Sequence, residues 1–168
     1  MRWTEGYIHV GMRSVLRAKG WELIAGEYPG GSDHELYPLN VVDPAVAKDR
    51  SPDPRRHSQG ELIPDLVALK DRTLLLAEAK PRYNEADRLK LLNLVTARRN
   101  HLIAALRKFA VERDRPSLLP VDDLSFAPTL VFSATAKAPL PDGTVSYLRI
   151  ETLSDGYFEG PLARTEHE

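Results

Sequence analysis

Three ionisable residues occupy places where an apolar strand would not ordinarily carry charge. Asp65 interrupts the run from Leu62 to Leu69, and Glu78 and Lys80 close the run that begins at Thr73. Side chains alternate across a strand, so Glu78 and Lys80, two apart, share a face, with Leu74 and Leu76 behind them. A buried charge is costly unless it is paired or bound to a metal. Two carboxylates on neighbouring strands suit a hard divalent cation such as Mg²⁺, which prefers oxygen ligands. Such a cation acidifies its water and neutralises charge on phosphoryl oxygens, and an adjacent ammonium can orient that water. The chemistry indicated is metal-assisted hydrolysis of a phosphodiester. The competing reading is a turn aspartate beside a surface Glu78–Lys80 ion pair.

Periodicity supplies the elements that must position these groups. Thr4 to Lys19 carries Tyr7, Ile8, Val10, Met12, Val15 and Leu16 near a helical period, with Gly20 as C-terminal cap and Gly6 and Gly11 as weakening residues. Trp21 to Tyr28 reads as a strand ended by Pro29-Gly30-Gly31-Ser32, and His34 to Val42 as an edge strand containing Pro38. Asp43 to Gly60, rich in Pro, Asp, Arg and Ser, reads as a mobile loop. Glu61 to Leu69 and Thr73 to Lys80 read as an antiparallel hairpin joined through Lys70-Asp71-Arg72. Asn84 caps one long helix to about Glu112, with Leu91, Leu92, Val95, Leu102, Leu106 and Phe109 on its apolar stripe. Thr129 to Ser133 and Ser146 to Leu153 read as two further strands. The order predicts a single layered α/β domain over residues 1–168.

Pro64-Asp65, a spacer of 12 residues and Glu78-Ala79-Lys80 resemble the signature of the PD-(D/E)xK nuclease superfamily. The segments Gly60 to Val67 and Ala77 to Pro81 look most similar to small restriction enzymes and to virus-type replication-repair nuclease domains. The resemblance implies a restriction-endonuclease-like core, a mixed β-sheet flanked by helices in the order α-β-β-β-α-β, over roughly residues 4–135. It implies that Asp65 and Glu78 bind Mg²⁺, with Mn²⁺ able to substitute, and that Lys80 positions the attacking water. A glutamate on the first helix, here Glu5, reaches the metal in many members, and Glu61 is a second candidate to complete the shell. The implied partner is DNA, cut to a 5′-phosphate and a 3′-hydroxyl by a single chain, a homodimer or a larger nuclease complex, in restriction, defence or repair. The alternative within the same fold is a catalytically inactive nucleic-acid-binding or interaction subunit.

The remaining composition limits other chemistries. With no cysteine, thiolate zinc sites, disulfides and a cysteine nucleophile are excluded. The five histidines show no His-x-x-x-His spacing, so no histidine metal pair is expected. No phosphate-loop motif occurs, and no apolar run approaches the ~20 residues of a membrane span, so a cytoplasmic protein is expected. From Lys80 to Arg115 there are ten Lys or Arg against four Asp or Glu, in a chain of formal net charge −1. That local excess marks Arg88, Lys90, Arg98 and Arg99 as candidate DNA-backbone contacts. Ser133, Thr135 and Lys137 alternate along a strand end and could line the same groove.

Overall fold

The computed structural model describes residues 3–28, 36–42 and 61–165. The predicted loop over 43–60 and the turn over 29–32 lie outside the described residues.

Helix α1 (Glu5–Ala18) begins where Thr4 Oγ1 accepts the Tyr7 amide at 3.1 Å. It ends at Gly20, whose φ of +89° is the left-handed conformation a closing turn requires. The Gly20 amide bonds Arg17 O and the Trp21 amide bonds Leu16 O, both at 3.0 Å, which satisfies the last carbonyls. Strands β1 (Glu22–Gly26), β2 (Val41–Val42), β3 (Glu61–Leu62), β4 (Leu66–Lys70) and β5 (Thr73–Ala79) follow. Of the expected strand over 34–42, residues 34–35 lie outside the described residues, and over 36–42 the strand is confined to Val41–Val42, which pairs with β3. The expected strand over 61–69 is broken at Ile63-Pro64-Asp65, because Pro64 has no amide to donate to a ladder. Asp71 and Arg72 turn β4 into β5, with φ of +49° and +64°, in the two-residue form that matches strand twist.

The single helix expected over 84–112 is instead two, α2 (Glu85–Val95) and α3 (Arg99–Glu112). Asn84 does cap α2, its Oδ1 accepting the Asp87 amide at 2.9 Å. The break falls at Thr96, whose hydroxyl donates to Leu92 O at 2.6 Å and bends the chain away from helical angles. Two 3₁₀ turns lead to β6 (Ser125–Ser133), β7 (Ser146–Ile150), β8 (Gly156–Glu159) and α4 (Pro161–Thr165). The last strand ends at Ile150 rather than Leu153, and β8 and α4 complete the domain beyond it.

The main sheet has six strands in the order β1-β4-β5-β6-β7-β8. The β5–β6 and β6–β7 pairs are parallel and the others antiparallel, so the sheet is mixed. Leu74 and Leu76 join the core under α2 and α3, whereas Leu75, Ala77 and Ala79 join the core under α1. Strand β5 therefore lies between two apolar layers, and its last residues emerge where both layers end. Among the described residues no helix is long and apolar enough to cross a membrane.

Candidate metal centre

The carboxyl end of β5 gathers charge from four elements. Glu78, only 4% exposed, is directed to the α2 side, where Lys90 donates to its carboxylate. Lys80 stands one residue beyond the strand, its amide still bonded to Val131 O of β6 at 3.0 Å. The shared strand face expected for Glu78 and Lys80 is thus a shared sheet edge, because the Lys80 ammonium reaches across to Glu5 of α1 at 3.5 Å.

Asp65 enters from the other side of the hairpin. The break at Pro64 frees its side chain to turn along the edge, and its Oδ2 accepts the Ala79 amide at 2.8 Å. That bond supplies the amide after Glu78 with a partner and fixes the aspartate beside the glutamate. Helix α1 contributes Glu5 and, one turn on, His9. His9 Nε2 lies 3.6 Å from Asp65 Oδ2 and 4.0 Å from Glu5 Oε1.

His9 is the residue that spacing rules missed. Histidine-pair spacing does not reveal it, because Glu5 and His9 have the same one-turn separation with mixed ligand chemistry. One ligand atom from each of Glu5, His9 and Asp65 lies within 4.8 Å of the other two. Atoms that share one ion at 2.0–2.2 Å stand up to about 4.4 Å apart, so this spacing needs little closure. His9 is 1% exposed, and both ring nitrogens are buried without a hydrogen-bond partner. A buried imidazole without a hydrogen bond, facing two carboxylates, is a group that could help to hold a cation.

Electrostatics favour the same reading. Burial pushes His9 below its ordinary value, outweighing the upward pull of Asp65 and Glu5, so the ring is neutral and its lone pair available. Burial, with Asp65 alongside, pushes Glu78 well above its ordinary value despite Lys90. Burial works against charge on Lys80, but Asp87, Glu5 and Asp65 together outweigh it and keep the ammonium protonated. Burial also raises Asp87, whose Oδ2 is a second buried acceptor without a hydrogen-bond partner. The excess of carboxylates over satisfied cations at one point is the condition a divalent ion relieves.

No family model, no curated protein and no solved structure matches this chain.

The other predicted residues divide between site and periphery. Lys90, expected to contact DNA, is turned inward, bonded to Glu78 and to Ile63 O, the latter at 3.3 Å. Arg88 is engaged on the surface with Glu85 at 2.6 Å and Asp142 at 3.2 Å. Arg98 and Arg99 stand at the start of α3, and the Arg99 guanidinium covers the Phe126 ring at 4.6 Å. Phe126 pairs with Leu74, at the opposite end of β5 from Glu78. Four residues of strand, roughly 13 Å, separate that end from the acidic cluster, so Arg99 is not brought to it. Glu61 lies in β3, and its side chain falls outside the described residues.

Proposed function

We propose that the chain is a divalent-metal-dependent deoxyribonuclease built on a restriction-endonuclease-like core with a PD-(D/E)xK centre. The observation that carries this reading is the meeting of Asp65, Glu78, Lys80 and Glu5, from the break before β4, the end of β5, the residue beyond it and helix α1, at one sheet edge. The order of helix, antiparallel strands, helix and parallel strand supports the same core.

Asp65, Glu5 and His9 would hold the ion, with Glu78 beside Asp65 as a further carboxylate. An imidazole among the ligands favours Mn²⁺ alongside Mg²⁺. When bound, the ion supplies an acidified water and charge neutralisation at the scissile phosphate. Lys80, kept charged by Asp87, Glu5 and Asp65 and more than a third exposed, presents an ammonium to a water or to a phosphate oxygen. Lys90 keeps the Glu78 carboxylate in place at the α2 side. One such centre cuts one strand, so a double-strand break requires a second copy or a second event.

The same Lys90–Glu78 bond favours a second reading, a non-catalytic DNA-binding relative in which the lysine has taken a cation's place. Supercoiled plasmid with Mg²⁺ or Mn²⁺ separates the two. The nuclease nicks it, and Lys80→Ala and Asp65→Asn lower the rate by roughly 100-fold or more. Wild type and both variants leaving the plasmid equally intact would exclude the enzyme.

A further inference from the structure

A cleft of about 680 Å³ opens immediately beyond Lys80. It is lined by Trp3, Arg82, Tyr83, Ser133, Thr135 and Lys137, together with Pro81 and Ala136. The volume falls in the range of small-ligand and nucleotide sites, about 300–1,000 Å³.

Its floor is built rather than incidental. The Ser133 amide donates to Pro81 O at 3.3 Å, tying the segment after β6 to the segment after Lys80. The Ser133 and Thr135 hydroxyls are bonded at 2.9 Å, and the Thr135 amide donates to Ser133 Oγ at 3.2 Å. Arg149 Nη1 donates to Ala136 O at 2.6 Å from beneath. The Tyr83 ring is set edge-on against Phe132 and Tyr147, with centroids 6.3 and 5.9 Å away, and its hydroxyl donates to Glu85. Trp3 forms the opposite aromatic wall, edge-to-face with Tyr7 at 4.6 Å.

The charge of the cleft is one-sided. Arg82 and Lys137 are its ionic side chains, no carboxylate lines it, and among the described residues neither cation has an acidic partner. Two cations, two hydroxyls and two aromatic rings are the groups that bind a nucleic-acid strand: cations take phosphates, and rings take the faces of bases. A base in a duplex is covered on both faces by its neighbours, so ring stacking is open to an unpaired base only.

We infer that this cleft receives an unpaired stretch of the DNA strand adjoining the scissile phosphate, so that the preferred substrate is single-stranded, flapped or frayed DNA. The inference rests on the nuclease reading for the role of the centre beside it, but the binding it describes needs neither metal nor cleavage.

The chain has two tryptophans, and Trp21 is 8% exposed against Phe158, so a ligand-induced change in emission reports on Trp3. In EDTA, (dT)₁₀ is titrated against the protein alongside a blunt duplex of equal length, with affinity read by anisotropy and stacking by tryptophan emission. The expected result is at least tenfold tighter binding of the single strand, with quenching. Trp3→Phe keeps most of the affinity and loses the quench. Arg82→Ala with Lys137→Ala weakens binding at least tenfold, and thermal melting checks that each variant is folded. Equal affinity for duplex and single strand, or folded Trp3→Ala and Arg82→Ala/Lys137→Ala variants that bind like wild type, would overturn the inference. Plasmid nicking together with equal affinities leaves the nuclease standing without this cleft. Tight single-strand binding without nicking upholds the cleft and removes the nuclease.

Discussion

Lys90 of α2 donates a hydrogen bond to Glu78, a carboxylate 4% exposed at the end of β5. This pair joins the helix layer to the candidate centre, and it fills one side of Glu78 with positive charge. Removing the lysine leaves the carboxylate buried beside Asp65 with no counter-charge. Breaking a buried pair from one side costs ~3–5 kcal/mol. Lys90 is about 31% exposed, so a loss of ~1–3 kcal/mol is expected for Lys90→Met. Melts with and without Mn²⁺ check this, because the freed carboxylate should let Mn²⁺ stabilise the variant more than wild type. Equal stabilisation of both proteins by Mn²⁺ would show that Glu78 stands apart from the ion.

The pH dependence of stability without metal follows from Glu78 and His9 with opposite signs. Glu78 is raised in the fold, so its contribution is fully present below the ordinary value of 4.5 and is lost as pH climbs through the folded value. Glu78→Gln should therefore flatten the decline on the alkaline side and exceed wild type there. His9 is lowered, so the unfolded chain takes up a proton first, and stability falls as pH drops below 6.5. His9→Gln should remove that acid-side loss. Urea melts at about half-unit steps between pH 4.5 and 9 measure both slopes.

In the proposed centre, His9 would set the metal preference. Replacing an imidazole ligand by a methyl group should weaken Mn²⁺ binding by about tenfold or more and Mg²⁺ binding by less, because Mg²⁺ gains little from nitrogen. Calorimetric titration of His9→Ala with each ion reads the two affinities. Equal and small losses would return His9 to the role of a packed core histidine.

Docking of α1 is the step that completes the cluster, and Gly11 permits it. A Cβ at Gly11 would stand 2.8 Å from Ile150 Cγ2 of β7. Alanine gains ~1 kcal/mol of helix propensity, so in an isolated helix Gly11→Ala would stabilise. Here the contact must push α1 from the sheet, and the expected result is a lower melting temperature with weaker Mn²⁺ binding. A stabilised variant with unchanged Mn²⁺ affinity would show that α1 has room to spare. Gly6, with nothing within 4 Å of the same probe position, serves as the control.

Arg99 is spent on the Phe126 ring at the opposite end of β5. Arg99→Ala should leave plasmid nicking and single-strand affinity within about twofold of wild type. A larger loss would mean that the DNA path runs along α3.

The frame was legible where local chemistry repeats. Thr4, Gly20 and Asn84 mark helix ends by rules that need no tertiary information. The unbroken apolar run from Leu74 to Ala77 marks a strand buried on both faces. The break at Thr96 was hidden because Val95 and Leu102 are seven apart, a spacing that a continuous helix and two helices joined by a short turn both satisfy. Lys90 reads in the sequence as a DNA-backbone contact, since sequence distance from Glu78 says nothing of a helix crossing a strand end. His9 lies 56 positions before Asp65, and only the docking of α1 puts them 3.6 Å apart. Asp65, Glu78 and Lys80 stood out earlier because each is charged amid apolar neighbours.

At the far end of β5, Arg72 adopts a left-handed conformation that costs a side-chain-bearing residue ~1 kcal/mol. Its guanidinium is anchored to Ser117 O at 2.8 Å and to Pro120 O at 2.5 Å, and its carbonyl accepts the Ser125 amide at 2.9 Å. The ribbon's phase is thereby set at the point most remote from the acids. Closing it one step out of phase would put alanine where Glu78 belongs and turn its neighbours to the wrong layer. Such a molecule could keep an acceptable sheet and have nothing to catalyse with. Fidelity of pairing at a two-residue bend, rather than depth of the interior, would then separate competent copies from blank ones.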